Sequence, residues 1–175
     1  MAAPGGERTL VFVFGTLKDG FPNFAVNRGR RVGGAYRTLD RLPLLLVGER
    51  HVPWLLDVPG EGERVAGEVY EVDAAALAAM DELEGVGRPD GYHRKAIGVR
   101  ANDGDAELQV QIYLRHVHQL DRAQVRQGPL AEYTLAHAAL YRKRRAGVLS
   151  YTITRVSHSA TSAGFGLPSI STLTS

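Results

Sequence analysis

Thr9-Leu-Val-Phe-Val-Phe14 runs directly into Gly15-Thr-Leu17, and this stretch decides how the chain begins to fold. Its first six residues are apolar or β-branched, as in a strand that is buried on both faces. The glycine that follows is the residue expected where a strand ends in a sharp bend. We therefore predict a buried strand over Thr9–Phe14 with a tight turn at its carboxyl end.

Further short strands are predicted along the chain. The segments with strand composition are Leu44–Gly48, Arg64–Val72, Tyr92–Arg100 and Glu107–Arg115. Asn102-Asp-Gly-Asp105 lies between the last two and is typical of a hairpin turn. Val52-Pro-Trp-Leu-Leu56 is also apolar, but Pro53 cannot donate a hydrogen bond to a ladder, which predicts an edge strand or a segment close to a loop. Gly67 predicts a bulge or a close backbone approach.

One alanine-rich helix interrupts the strands, and Asp73 is its candidate N-cap. At roughly 100° per residue, Leu77 and Met80 mark the apolar face and Glu84 falls between them. A carboxylate on a buried face has a raised pKa, because desolvation disfavours the charged form. That property suits acid/base work near neutral pH. The alternative is a frayed helix end with Glu84 in water, since charged residues are seldom buried without a partner.

The remaining segments complete the domain prediction. Short helices are predicted at Pro22–Arg28 and at Glu132–Arg142, the latter packing through Leu135 and Ala138. Beyond about Gly147 the pattern gives way to Ser, Thr and Gly. We therefore predict one domain over residues 9–146 and a largely disordered tail over 147–175.

Short strands with one inserted helix indicate an α+β fold with a strongly curved sheet or a small barrel. The chain lacks the regular alternation of strand and helix that a doubly wound fold requires. Its 175 residues suit one domain with a sizeable core.

Composition excludes several kinds of chemistry. The chain has no cysteine, so disulfides, a thiolate nucleophile and a cysteine-based zinc site are excluded. Its start is small and polar, unlike a signal peptide. Its longest apolar runs, near Leu10–Phe14 and Leu42–Val47, are too short to cross a bilayer. We expect a cytoplasmic protein without a membrane partner.

The charge balance does not demand nucleic acid. Net charge is +2 and the isoelectric point is near 9.0, a small excess that is spread along the chain. The one dense basic run, Arg142-Lys-Arg-Arg145, is either a solvated face or a localisation signal or anion-binding patch. We expect a monomer that does not bind nucleic acid.

Two motifs have both a plain and a functional interpretation. Phe14-Gly-Thr-Leu17 is either an ordinary strand-ending turn or a nest of backbone N–H groups for an anion. His116 and His118, with Asp121 nearby, lack a third strong metal ligand. We expect these histidines, like His51 and His93, to be surface residues, and we expect no metal and no cofactor.

Four segments in order carry a resemblance to a known family. They are Val11-Phe-Val-Phe-Gly-Thr-Leu-Lys18, Val52-Pro-Trp-Leu-Leu56, Gly67-Glu-Val-Tyr-Glu-Val72 and Met80-Asp-Glu-Leu-Glu-Gly85, followed by Tyr92-x-Arg94. Together they resemble the γ-glutamylcyclotransferase-like family, which includes plant avirulence-induced proteins. The resemblance covers roughly residues 9–115. It implies a small mixed β-barrel with flanking helices.

The resemblance also implies a reaction and its residues. Family enzymes cyclise a γ-glutamyl group to 5-oxoproline and release an amine or an amino acid. The family's catalytic glutamate falls on Glu84, and a pocket tyrosine falls on Tyr92. The substrate loop falls on Phe14, Gly15, Thr16 and Leu17. The family loop usually opens with tyrosine, so Phe14 lacks a hydroxyl that relatives have.

The implied substrate is a small γ-glutamyl molecule. The Pro-Trp-Leu-Leu and Gly-Glu-Val-Tyr segments favour γ-glutamylamines, such as γ-glutamyl-ε-lysine, over γ-glutamyl-α-amino acids, which remain a close second candidate. A cation for the carboxylate of the leaving group would distinguish the two, and the candidates are Arg94, Arg37 and Lys18. Two hypotheses come from different classes of function. They are a non-catalytic small-molecule binding domain on the same fold and an interaction protein that works through the basic run and the C-terminal tail.

Overall fold

The structure, a computed structural model, describes residues 6–143. Residues 6–142 lie within one compact unit. The predicted tail, residues 147–175, and the end of the basic run lie outside the described residues. The strands are β1 (Thr9–Val13), β2 (Arg30–Leu42), β3 (Leu44–Val47), β4 (Val52–Leu55), β5 (Glu63–Val72), β6 (His93–Ala101), β7 (Glu107–Leu114) and β8 (Val125–Gln127). The helices are α1 (Ala74–Glu84) and α2 (Leu135–Ala138).

Five strands close into a barrel in the order β1-β5-β2-β6-β7. Neighbouring strands are antiparallel except where β1 meets β7, and that contact is parallel, with Val11 opposite Gln111. The sheet is therefore mixed, as the family resemblance implies. Parallel pairing brings the carboxyl ends of β1 and β7 to the same rim of the barrel.

A second sheet has the strand order β4-β3-β8. β4 is an edge strand, so Pro53 lies where a residue without an N–H is tolerated, as predicted. β3 is buried along its whole length. A single parallel bridge between Leu56 and Arg115 joins this sheet to the end of β7.

The barrel interior is filled by aliphatic and aromatic side chains. Val11, Phe12, Val65, Val69, Val99 and Ile112 have no accessible surface. Two consecutive residues of β1 are among them, as expected for a strand buried on both faces. Gly67 of β5 is required by this packing, because a side chain there would collide with the carbonyl oxygen of Val13. The predicted close backbone approach at Gly67 is confirmed.

α1 begins and ends as its sequence specifies. Asp73 is the N-cap, and its Oδ1 accepts a hydrogen bond from the N–H of Ala76 at 2.8 Å. Gly85 ends the helix in the left-handed region, with φ of 70°, where glycine is favoured. Ala76 and Met80 are buried, and Glu84 follows at the same four-residue step. The predicted helix and N-cap are confirmed.

The predicted helix over Glu132–Arg142 is wrong in length and in the packing of Leu135, whereas Ala138 packs against the core as predicted. Only Leu135–Ala138 is α-helical, and Leu135 is 63% exposed. The buried residue is Tyr133, with no accessible surface. Backbone hydrogen bonds from Leu130 to Leu44 and from Ala66 to Ala131 hold the preceding chain against the strands. These long-range bonds outweigh the local helix propensity.

The predicted helix over Pro22–Arg28 is only a 3-10 turn at Phe24–Val26. Two further 3-10 turns, at Val117–Gln119 and Arg122–Gln124, follow β7. In the part of the chain that the structure describes, no helix is long and apolar enough to cross a membrane.

Candidate active site

A tight turn follows β1, and its carbonyl groups are all occupied. The N–H of Lys18 donates to the carbonyl of Gly15 at 3.1 Å, which closes the turn. The Thr16 carbonyl accepts from the N–H of Asn23 at 2.8 Å. The Leu17 carbonyl accepts from the Asn27 side chain at 3.0 Å. The acceptors of this turn are therefore bound within the protein.

The backbone N–H groups of the same turn, in contrast to its carbonyl groups, lack hydrogen-bond partners among residues 6–143. Among residues 6–143, no acceptor takes a hydrogen bond from the N–H of Gly15, Thr16 or Leu17. Thr16 and Leu17 are only 9% and 4% exposed. Successive unpaired N–H groups on a tight turn form the arrangement that binds an anion. The turn thus has the properties of the predicted substrate loop.

The shape of this turn depends on side chains from elsewhere. Asn23 Nδ2 donates to Thr16 Oγ1 at 2.9 Å and to the hydroxyl of Tyr141 at 3.2 Å. Lys18 is buried, and its Nζ donates to the Tyr133 carbonyl at 2.5 Å. Burial lowers the pKa of Lys18, against the opposing charges of Glu132 and Glu68. These contacts fix the turn on both sides.

Glu84 has a largely enclosed side chain that keeps some accessible surface. Within the described residues, its side chain has no hydrogen bond and no ion pair. Burial raises its pKa to about 7, and the positive charge of Arg115 opposes that rise. The side chain is surrounded by protein atoms yet keeps some accessible surface, as expected at the floor of a cleft. A frayed, fully hydrated Glu84 does not fit this placement.

Tyr92 and Pro53 connect Glu84 to the turn. The N–H of Tyr92 donates to the Glu84 carbonyl at 2.9 Å, and its hydroxyl donates to the Pro53 carbonyl at 2.5 Å. Burial raises the pKa of Tyr92, and the charge of Glu84 adds to the rise. A Cβ placed on Gly15 would lie 3.0 Å from Pro53 Cγ. Glu84, Tyr92, Pro53 and the turn therefore form a continuous series of neighbouring residues.

Arg115 also lies in this set, and no sequence motif singles it out. Its N–H donates to the Leu55 carbonyl at 2.8 Å. The guanidinium carbon lies 4.1 Å from the centre of the Trp54 ring and 4.4 Å from that of Tyr92. Arg115 directly follows β7, whose parallel pairing with β1 brings it to the rim. No local pattern reveals that pairing.

A family model described as Gamma-glutamyl cyclotransferase, AIG2-like matches residues 11–148. The match extends from the first buried strand to beyond α2 and covers more than half of the 175 residues. The chain belongs to this family. The resemblance read from the sequence is thereby confirmed.

Individual relatives of the family agree. A Rattus norvegicus protein named gamma-glutamylaminecyclotransferase is 44% identical over 95 residues, which are 51% of this chain and 62% of that protein. A Homo sapiens protein of the same name is 45% identical over 96 residues, 52% of this chain and 61% of that protein. The chain thus spans less than two thirds of the length of these relatives.

A solved structure confirms the fold. The crystal structure of an AIG2-like protein from Mus musculus matches with a TM-score of 0.66 and 32% identity, covering 79% of this chain and 97% of that chain. The α+β class and the small mixed barrel are therefore the fold of this family member.

Phe14, at the position where the family resemblance implies tyrosine, directly precedes the turn. It is 7% exposed and packs in the main hydrophobic core. The structure thus brings Gly15, Tyr92 and Glu84 together, with Thr16 and Leu17 on the same turn. The roles of these residues in binding or chemistry remain predictions.

The three candidate cations for a carboxylate on the leaving group are engaged elsewhere. Arg94 Nε and Nη2 bind the carboxylate of Asp81 at 2.9 and 3.1 Å. Lys18 binds the Tyr133 carbonyl. Arg37 lines an open cavity of about 460 Å³, and the lining of that cavity includes none of the residues around Glu84. None of the three is a hydrogen-bond or ion-pair partner of Glu84.

The histidines form a separate cluster. The His93 and His116 rings stack at 3.9 Å, and the His116 and His118 rings at 5.3 Å. Asp57 joins them, so that one ligand atom each from Asp57, His93 and His116 lies within 4.8 Å of the others. Lys95 Nζ already lies 2.9 Å from Asp57 Oδ1 and supplies the opposing charge. The predicted neighbour Asp121 instead caps a 3-10 turn.

Proposed function

We propose that this protein is a γ-glutamylamine cyclotransferase, which converts a γ-glutamyl amide into 5-oxoproline and a free amine. The observation that carries the proposal is a largely enclosed carboxylate, Glu84, on a residue that is linked through Tyr92 and Pro53 to a turn whose N–H groups are unpaired among residues 6–143. The Tyr92 N–H binds the Glu84 carbonyl, and the Tyr92 hydroxyl binds the carbonyl of Pro53, which packs against Gly15. The names of the relatives agree with this activity.

Glu84 acts as general base and then as general acid. The α-amine of the substrate attacks the γ-carbonyl carbon, and Glu84 takes the proton that the amine must lose. The protonated Glu84 then gives that proton to the leaving nitrogen as the carbon–nitrogen bond breaks. A pKa of about 7 suits both steps near neutral pH. Such catalysis typically contributes about 10²- to 10⁴-fold.

The turn after β1 stabilises the oxyanion of the tetrahedral intermediate. Unpaired N–H groups on Gly15, Thr16 and Leu17 supply donors that are fixed before the reaction begins. In other enzymes the loss of one such donor costs about 3–4 kcal/mol. The bracing by Asn23 and Asn27 keeps these donors in place without reorganisation.

A γ-glutamylamine is favoured over a γ-glutamyl-α-amino acid. The latter substrate carries a carboxylate beside the leaving nitrogen and calls for a further cation. Arg94, Arg37 and Lys18 are bound to other groups. The engagement of these three supports an amine such as the ε-amine of lysine as the leaving group.

The test is a panel of substrates. The full chain is incubated with γ-glutamyl-ε-lysine, with a γ-glutamyl-α-dipeptide and with glutathione, and 5-oxoproline is measured by mass spectrometry. We expect release from γ-glutamyl-ε-lysine above the other two. Release from none of them would reject the proposal, and binding without release would identify a non-catalytic binding domain.

The remaining expectations stay predictions. They are a cytoplasmic monomer that needs no metal or cofactor and binds no nucleic acid, and a catalytic domain over residues 9–146. Deletion of residues 147–175 tests the domain prediction. We expect the shortened chain to retain the 5-oxoproline release of the full chain.

A further inference from the structure

Arg115 is held at the rim of the barrel by three independent features. The parallel pairing of Val11 with Gln111 brings the end of β7 beside the turn after β1. A parallel bridge joins Arg115 to Leu56, the residue that follows β4. The β6–β7 ladder ends at the pair His93 and Leu114, and the next residues beyond that pair, Tyr92 and Arg115, are in contact through their side chains. The position of this cation is therefore fixed by the fold.

The guanidinium of the half-buried Arg115 has no carboxylate partner among the described residues. Within residues 6–143, no carboxylate lies within 4.0 Å of it. Nη1 donates to the Asp90 carbonyl at 2.5 Å, while Nε is buried without a partner. The rings of Trp54 and Tyr92 both pack against it. Among residues 6–143, the Asp90 carbonyl is the one hydrogen-bond acceptor for its five N–H donors.

A planar guanidinium in this state is suited to a carboxylate. Its fork of N–H donors matches the two oxygens of a carboxylate, and stacking on aromatic rings restricts the fork to one plane. Arg94 shows the satisfied counterpart, since its fork is filled by Asp81. Every γ-glutamyl substrate carries an α-carboxylate, whichever amine it releases.

We propose that Arg115 is a specificity-determining residue that binds the α-carboxylate of the γ-glutamyl group. This inference rests on the proposed function and names the recognition of its acyl half. With the carboxylate on Arg115, the N–H groups of Gly15, Thr16 and Leu17 are left for the oxyanion. The substrate then lies with its α-amine toward Glu84 and its γ-carbonyl toward the turn.

The test compares two substrates that differ only in that carboxylate. One is the γ-glutamyl amide of a simple alkylamine, which yields 5-oxoproline. The other is the 4-aminobutanoyl amide of the same amine, which yields 2-pyrrolidinone. kcat and KM are measured for both substrates with the wild-type chain, Arg115→Gln and Arg115→Lys.

We expect the wild-type chain to prefer the γ-glutamyl amide. In Arg115→Gln the ratio of the two kcat/KM values should fall by about 100-fold, mainly through KM for the γ-glutamyl amide, because a buried charge pair is lost. Arg115→Lys, which keeps the charge but not the fork, should restore part of the preference. Arg88→Gln, an exposed cation on the loop after α1, is the matched control and should keep the wild-type ratio.

Three results would overturn the inference. An equal loss of kcat/KM on both substrates in Arg115→Gln and Arg115→Lys would make Arg115 a structural or positioning residue. An unchanged ratio would place the carboxylate elsewhere. Thermal melts of both variants separate unfolding from lost recognition. A wild-type chain that turns over neither substrate rejects the proposed function itself, and the inference with it.

Discussion

Two carboxylates on α1, one helical turn apart, have similar neighbours but differ in their hydrogen bonding. Asp81 and Glu84 each lie near one arginine and one tyrosine from the β6–β7 ladder. The Asp81 carboxylate accepts hydrogen bonds from Nε and Nη2 of Arg94, at 2.9 and 3.1 Å, and from the Tyr113 hydroxyl at 2.6 Å. The Glu84 side chain receives no bond from a described residue, because the Tyr92 hydroxyl donates to Pro53.

The ladder explains why the two sets resemble each other. Arg94 is opposite Tyr113, and two residues further along each chain Tyr92 and Arg115 are in contact through their side chains. Asp81 and Glu84 lie three residues apart, which places them on one side of a helix. The same geometry thus produces two different sites. At Asp81, Arg94 and Tyr113 fill the carboxylate with hydrogen bonds, and we call this set the closed brace. At Glu84, with Tyr92 and Arg115 beside it, the carboxylate has no such bonds from the described residues, and we call this set the open site. A closed set of polar bonds stabilises the fold, whereas an open one is available to a ligand.

The largest expected effect is on turnover at the open site. Glu84→Gln removes the base and keeps the shape, so 5-oxoproline release should fall by about 10²- to 10⁴-fold. Circular dichroism should show an unchanged fold. Glu82→Gln, an exposed carboxylate on the same helix, is the matched control and should keep full activity. Unchanged turnover in Glu84→Gln would falsify the assignment.

The second effect is on stability as a function of pH. The pKa of Glu84 in the folded chain, about 7, is raised above its ordinary 4.5. The folded state therefore holds this proton more tightly, and the stabilisation present below about pH 4.5 is lost as the pH rises to about 7. The loss amounts to about 3 kcal/mol.

Urea unfolding from about pH 4.5 to about pH 8 measures this linkage. Glu84→Gln cannot titrate, so its stability relative to the wild-type chain should rise across that window. A constant difference between the two chains would mean that Glu84 is solvated as in the unfolded state.

The third effect is on the closed brace. Asp81→Asn leaves the Arg94 charge without its partner, which should cost about 2 kcal/mol of unfolding free energy after allowance for partial exposure. Asp81 and Arg94 are 25% and 27% exposed. Turnover should be affected far less than in Glu84→Gln. Activity lost as severely in a folded Asp81→Asn chain would erase the distinction between brace and site.

The smallest effect concerns the hydroxyl that the open site lacks. The Tyr113 hydroxyl donates a hydrogen bond to Asp81, whereas Phe14 occupies the position where the family resemblance implies tyrosine. Phe14→Tyr should lower KM for γ-glutamyl-ε-lysine by about 3- to 10-fold, the equivalent of one net hydrogen bond. An unaltered KM would show that the hydroxyl is dispensable in this chain.

Local patterns predicted the features that depend on neighbours in sequence. The strand before Gly15, the N-cap at Asp73 and the inward position of Glu84 follow from composition and from helical spacing, which hold wherever the element packs. The edge position of Pro53 follows from its missing N–H. These features were therefore correct before any tertiary contact was considered.

Long-range contacts decided what the sequence could not predict. Arg115 reaches the site only through the parallel pairing of β1 with β7, across 100 residues of chain from Val11 to Gln111. Asn27 and Asn23 brace the turn through side chains that carry no motif. The predicted helix over Glu132–Arg142 was wrong because backbone bonds to Leu44 and Ala66 hold the preceding residues against the strands.

The ring beneath the Arg115 guanidinium belongs to Trp54, the single tryptophan in the chain. Its indole fluorescence therefore arises from one place, against the cation at the barrel rim. Emission excited selectively above the tyrosine band gives a signal from that rim alone. The molecule thus contains its own optical probe, and ligand occupancy can be followed in solution without a label or a chromogenic substrate.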